Sequence, residues 1–283
     1  MKPVILRISA GVDQLSCDWM EFPSKTNMLD DITNQLPAGA YTTFRTYHHS
    51  KAIRLEAHLA RLEETTRLSG TPLKLDQNAL RHAIRLVLET YPTDQELRLR
   101  VVLDLEDCPG EVYLMAEILI TPPPEAYRKG VWAVTCGMRR RNPKAKLTRF
   151  IDPASKIRAN LPEGANEALM VTEDGSILEG LSSNFFAVNQ GEVWTNEESV
   201  LSGVTRSLVL DEIERLAIPF HRKSVHLSEI PLCEEAFITS SSRGILPLNR
   251  IDQITIGCGL PGRVTRRLME NLEERIQREI EEI

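Results

Sequence analysis

The amino-acid sequence predicts an α/β fold, of the α+β type, built from two domains. Its 283 residues exceed the usual size of a single domain. In the first half the apolar period switches repeatedly between two and about 3.6 residues, the mark of strands alternating with helices. After a proline run at 122–124 the pattern becomes mostly strands.

The start, residues 1–7, reads as a strand, because its apolar run is too short for a signal-peptide core. Residues 41–47 are rich in threonine and aromatics and read as a second strand, with 48–51 as a polar turn into a short third one. Leu55, Leu59 and Leu62 then recur at helical spacing, predicting a helix over 55–68 that ends at Ser69-Gly70-Thr71-Pro72. Leu80, Ile84, Val87, Leu88 and Tyr91 predict a second helix, stopped by Pro92. Strands over 97–105 and 112–120 follow, joined through Pro109-Gly110. Residues 121–125 read as an extended boundary, since consecutive prolines lack N–H donors. The expected division is 1–121, a linker at 122–130, and 131–283.

In the second domain strands are predicted over 131–138, 167–172, 177–188 and 193–195, with Asp174-Gly175 and Gln190-Gly191 as hairpin turns. Residues 207–216 read as a helix and 236–240 as a strand. From about Gly262, Val264, Leu268, Leu272, Ile276 and Ile280 repeat every four residues amid charges, predicting a long amphipathic helix.

Hydrophobic residues make up 42% and charged residues 26%, so a core can form. A formal charge of -6 with scattered lysines and arginines excludes the basic footprint of a nucleic-acid binder. No apolar stretch is long enough to span a bilayer. The five cysteines are odd in number and widely spaced, which argues for reduced thiols and a cytoplasmic protein.

Three segments concentrate chemistry: 177–186, 201–206 and 237–242. Glu179 is a carboxylate among apolar neighbours, which favours protonation unless a cation pairs with it. Taken alone, it reads as an ordinary strand-end glutamate in water or in a local salt bridge. Val204 and Thr205 open a predicted helix, where exposed amides and the dipole suit an anion. Ser241 and Ser242 end a strand with hydroxyls. Arg61, on the first long helix, can clamp a phosphate with two parallel hydrogen bonds. Arg98 and Arg100 share one strand face, suiting an acidic substrate or flanking carboxylates. A covalently held aldehyde cofactor requires a lysine, and Lys144, Lys146 and Lys156 are the candidates that spacing alone leaves open.

Together, Glu179-Gly180 with residues 183–186, Leu201-Ser202-Gly203-Val204-Thr205-Arg206, Thr239-Ser240-Ser241-Ser242 with Pro247 and Ile251-Asp252, and residues 257–265 resemble the class IV aminotransferases. These are the fold-type IV pyridoxal-phosphate enzymes, which include branched-chain and D-amino-acid aminotransferases and aminodeoxychorismate lyase. The resemblance runs from about Tyr41 to about Thr265.

It implies a two-domain fold-type IV enzyme with pyridoxal 5'-phosphate in the cleft between a smaller N-terminal and a larger strand-rich C-terminal domain. It assigns Lys146 the Schiff base and Glu179 the pyridine nitrogen. Arg61, the Val204 and Thr205 amides, Ser241 and Ser242 take the phosphate, Leu201 lies under the ring, and Asn184 supports. Tyr41, Arg98 and Arg100 are placed near substrate. The implied activity is amino transfer between an amino acid, or a related amine, and a 2-keto acid, in a homodimer. A lyase of the same cofactor class and a non-catalytic protein keeping the fold are the alternatives. Residues 147–151 lack the side chains often found after the family lysine.

Overall fold

The computed structural model describes residues 2–10, 15–21 and 28–283; Met1, within the first predicted strand, lies outside them. The chain divides into two compact units. One comprises 1–120, 145–155 and 279–283, the other 121–144 and 156–278. The continuous division expected from sequence is thus interrupted, because two distant segments join the N-terminal unit through backbone pairing. Tyr41 N donates to Lys146 O, and Ile283 N to Ser50 O.

In the N-terminal unit the elements are β1 (Val4–Ala10), β2 (Leu15–Met20), α1 (Leu29–Thr33), β3 (Gly39–Arg45), β4 (Lys51–Ala52), α2 (Leu55–Leu68), α3 (Gln77–Leu88), β5 (Leu97–Asp104) and β6 (Val112–Ile118). The five-stranded sheet has the order β2-β1-β6-β5-β3 and its pairings are antiparallel. One face packs on α2 and α3 through Leu55, Leu59, Leu62, Leu80, Ile84 and Val87. The other buries Tyr41, Val102, Tyr113 and Met115 against Leu29, Ile32 and Ile151. Helix α3 ends at Leu88, short of Tyr91, because the Thr90 and Tyr91 amides tighten onto the carbonyls three residues back before Pro92. Tyr91 still enters the core, its hydroxyl donating to Ala116 O at 2.6 Å. The Asp104 carboxylate accepts from the amides of Glu106, Asp107 and Cys108, so the strand stops there instead of at Leu105.

The remaining elements are α4 (Pro124–Lys129), β7 (Val131–Cys136), α5 (Ile151–Ala159), β8 (Ala165–Val171), β9 (Ile177–Gly180), β10 (Asn184–Asn189), β11 (Glu192–Trp194), α6 (Val204–Arg215), β12 (Phe220–His221), β13 (Glu235–Ser240), β14 (Gly244–Ile251), β15 (Ile254–Thr255), α7 (Arg263–Glu279) and β16 (Glu281–Glu282). In the C-terminal unit, β10-β13-β14-β7-β8-β9 form a continuous run that closes when Asn184 pairs with Glu179, making a barrel. Its apolar filling includes Phe185, Ile238, Leu246, Leu169 and Val131.

Two sequence expectations fail here for identifiable reasons. The extended reading of 121–125 fails at its last two residues, because Pro124 opens a helix over Pro124–Lys129, in whose first turn its missing N–H costs nothing and its fixed φ fits. The single strand expected over 177–188 breaks at 181–183. There the hydroxyls of exposed Ser182 and buried Ser183 both donate to the Glu167 carboxylate, and the chain reverses so that β9 and β10 pair with each other.

Candidate active site

In the N-terminal unit, Lys146 is fixed at the open edge of β3. Its amide donates to Thr65 Oγ1 at 3.2 Å, its carbonyl accepts from Tyr41 N at 2.9 Å, and its Nζ lies 4.6 Å from the Tyr41 ring centroid. On the other face of β3, Arg61 Nη2 donates to Thr42 Oγ1 at 2.8 Å and to His58 Nδ1 at 3.3 Å. Thr42 Oγ1 lies 3.0 Å from the same Nδ1. A guanidinium only donates, so Nδ1 is the acceptor, the Thr42 hydroxyl points its proton at it, and the neutral ring carries its hydrogen on Nε2. Burial, with the charges of Arg61 and Lys146, holds the His58 imidazole well below its ordinary pKa.

Arg98 and Arg100 share a face, and each meets an internal carboxylate, the flanking-carboxylate alternative of their sequence reading. Arg98 pairs with Glu117. Arg100 donates to Asp30 at 2.7 Å, Thr33 at 2.8 Å and Thr43 at 3.2 Å, and is buried. Its guanidinium also lies 5.2 Å from the Tyr41 ring centroid. These contacts make Arg100 a strut joining α1 to the sheet.

In the C-terminal unit the carboxylate of Glu179, 2% exposed, is held from three directions. Arg140 Nε donates to Oε1 at 2.8 Å, while Asn184 Nδ2 and the Leu201 amide donate to Oε2 at 2.9 and 3.1 Å. Asn184 Nδ2 also donates to Leu201 O at 2.8 Å, locking the strand β10 to the segment that enters α6. That helix starts at Val204, ahead of the stretch 207–216 read as helical and at the residue expected to open it, and its N-cap is Gly203, which offers no side-chain cap. Ser202 is exposed. Glycine is required at 203, because a Cβ there would collide with Asn184 Oδ1. The amides of Val204 and Thr205 therefore open a helix tip that carries no side-chain cap.

Ser241 and Ser242 lie in the turn between β13 and β14. Arg243 pins that turn: its Nη2 donates to Glu167 Oε2 at 2.8 Å and to Ser182 Oγ at 3.0 Å, and its Nε to Ser240 Oγ at 3.1 Å. Burial pushes the Glu167 carboxyl up, but Arg243, the Ser183 hydroxyl and the charge of Arg158 outweigh it and hold the group below its ordinary pKa. Thr239, on β13 opposite Asn184, is buried and its hydroxyl has no partner among the described residues.

Of the three candidate lysines, Lys144 donates to the Glu197 carbonyl, Lys156 is exposed on α5, and Lys146 is half-buried. Sequence reasoning missed His58, Arg140, Glu167 and Arg243, whereas Gly203 and Thr239 stood inside segments it singled out. Only Glu167 carried a signal, as a charge inside an apolar strand.

The amino-transferase class IV family model matches residues 39–251. The chain belongs to that family. It is 27% identical over 245 residues to a probable branched-chain-amino-acid aminotransferase of Thermotoga maritima, covering 84% of this chain and 86% of that one. It is also 27% identical over 262 residues to a D-alanine aminotransferase of Bacillus licheniformis, covering 88% and 91%. Among solved structures, the T.th. branched-chain amino acid aminotransferase with pyridoxamine 5'-phosphate aligns with a TM-score of 0.78 at 21% identity, over 99% of this chain and 98% of that chain. The fold is therefore the mixed α/β fold-type IV fold, with a small N-terminal sheet and a larger C-terminal barrel.

Proposed function

We propose that this class IV, pyridoxal-phosphate-dependent transaminase moves an amino group between an amino acid, or a related amine, and a 2-keto acid, with Lys146 as the covalent anchor. The observation that carries the reading is the linked set Arg140, Glu179, Asn184 and Leu201 beside the uncapped tip of α6. A fixed carboxylate and a helix start shaped by Gly203 suit the two ends of a phosphorylated pyridine. When bound, the cofactor supplies an aldehyde that bonds an amine and a protonated ring that draws electrons from it.

The residues divide the remaining work. Lys146 would hold the cofactor through Nζ, its condensation with the aldehyde releasing water, and its free amine would carry the proton that leaves and returns at the substrate carbon. Glu179 keeps a proton on the pyridine nitrogen, while Asn184 and the Leu201 amide fix its orientation. The Leu201 side chain supports the ring face. Arg61, the Val204 and Thr205 amides, Ser241 and Ser242 are assigned to the phosphate, Arg61 being presented by Thr42 and His58. Tyr41, against Lys146 Nζ, is assigned to the substrate side.

Incubation with L- and D-amino acids and 2-oxoglutarate tests the activity. Glutamate formed with at least one donor supports it, and no glutamate with any donor refutes it. The homodimer is part of the same proposal, read by light scattering as twice the chain's 32.0 kDa. Among the described residues no helix is long and apolar enough to cross a membrane.

A further inference from the structure

Strand alternation puts Glu235, Phe237 and Thr239 on one face of β13, and Phe186 and Asn184 share that face through their pairings with Phe237 and Thr239. The face has a helix-tip contact near each end. At one end, Glu235 accepts from the amides of Val264 and Thr265, so the start of α7 is filled by a carboxylate. Between the ends, Phe186 and Phe237 stack with ring centroids 4.8 Å apart. At the other end, Asn184 reaches Leu201 and abuts Gly203, so this end faces the start of α6, which has no side-chain cap.

Two buried threonine hydroxyls in this region lack partners among the described residues, Thr265 and Thr239. They differ in what lies beside them. Thr265 opens α7, whose tip Glu235 already occupies. Thr239 is 1% exposed and sits in register with Asn184, whose side chain abuts Gly203 at the tip without a side-chain cap. Its neighbour Ser240 is committed to Arg243. A hydroxyl desolvated without a partner is costly, and such a cost is retained where something else completes the bond.

Resting on the function proposed above, we infer that the Thr239 hydroxyl is a further cofactor ligand, donating to the phosphate monoester seated at the α6 tip. It acts with the Val204 and Thr205 amides, and its bond forms only when the phosphate is present.

Thr239→Val tests this, because it keeps the shape and removes only the hydroxyl. Two readouts should move in opposite directions. The cofactor-free variant should melt about 2–4 °C higher than wild type, since a buried unpaired group is gone. Its affinity for pyridoxal 5'-phosphate, titrated by visible absorbance, should fall about 10-fold, the loss of one bond to a charged acceptor. Affinity for pyridoxal, which lacks the phosphate, should not change, and Thr239→Ser should retain wild-type affinity for the phosphorylated form. Equal affinity of Thr239→Val and wild type for pyridoxal 5'-phosphate overturns the inference. So does an equal loss for both compounds, which would place the hydroxyl away from the phosphate. If wild type binds neither compound, the proposed function falls, and this inference with it.

Discussion

Removing Arg243 isolates a buried charge, and the structure says how much that should matter. Glu167 is 1% exposed, and its carboxylate faces a guanidinium at 2.8 Å. Breaking a buried pair by deleting one partner typically costs about 3–5 kcal/mol, because the other charge stays desolvated. Three donors to Glu167 remain, Ser182, Ser183 and the Ala168 amide, so the lower end of that range applies to Arg243→Ala. For a chain of this size about 3 kcal/mol lowers the melting temperature by roughly 6–12 °C. The sign of the pH dependence follows from linkage. In wild type the Glu167 pKa is depressed, so its stabilisation is present at neutral pH and is lost only as pH falls below the ordinary carboxylate range. In Arg243→Ala the strongest opposing charge is gone and burial raises the group instead. The folded variant then gains from binding a proton, and its deficit should shrink between about pH 7 and pH 5. Differential scanning fluorimetry across that range reads both quantities. Glu167→Gln added to Arg243→Ala should recover stability over Arg243→Ala alone. A deficit under about 1 kcal/mol, or one equal at both pH values, would refute the reasoning.

Gly203→Ala should push a methyl into Asn184 Oδ1, at a cost of about 1–3 kcal/mol in thermal denaturation. Because Asn184 orients Glu179, it should also weaken visible-absorbance titration with pyridoxal 5'-phosphate, whereas Ser202→Ala should change neither. Neutral His58 has a folded pKa far below its unfolded one, so the folded state binds fewer protons. Stability should be full above about pH 6.5 and decline as pH falls below it. Denaturant titrations of wild type and His58→Gln at about pH 7.5 and 5.5 should show that decline diminished in the variant.

The elements with a strong period were legible in the sequence. Leu55, Leu59 and Leu62 announce α2 because each buries on one helix face, and the Asp174-Gly175 turn announces β9 because Gly175 takes a positive φ. Closure of the barrel was not legible, because it depends on Ser182 and Ser183 turning to a glutamate 15 and 16 residues away. The site divides the same way. Glu179, Asn184 and Leu201 were named from sequence, and the structure links them by hydrogen bonds within one unit. Arg140, which neutralises Glu179 across 39 residues, follows no period and stands in a run of three arginines that all look solvated. For Arg98 and Arg100 alternation reported the shared face and left an acidic substrate and flanking carboxylates both open, and the structure pairs each arginine with an internal carboxylate.

The most direct test of Lys146 as the covalent anchor is borohydride reduction of the cofactor-bound protein, followed by peptide mapping with fragmentation that separates positions 144 and 146. The pyridoxyl mass should sit on Lys146 alone and vanish in Lys146→Ala. Modification of Lys144 or Lys156, or none on any lysine after incubation with excess cofactor, would contradict it.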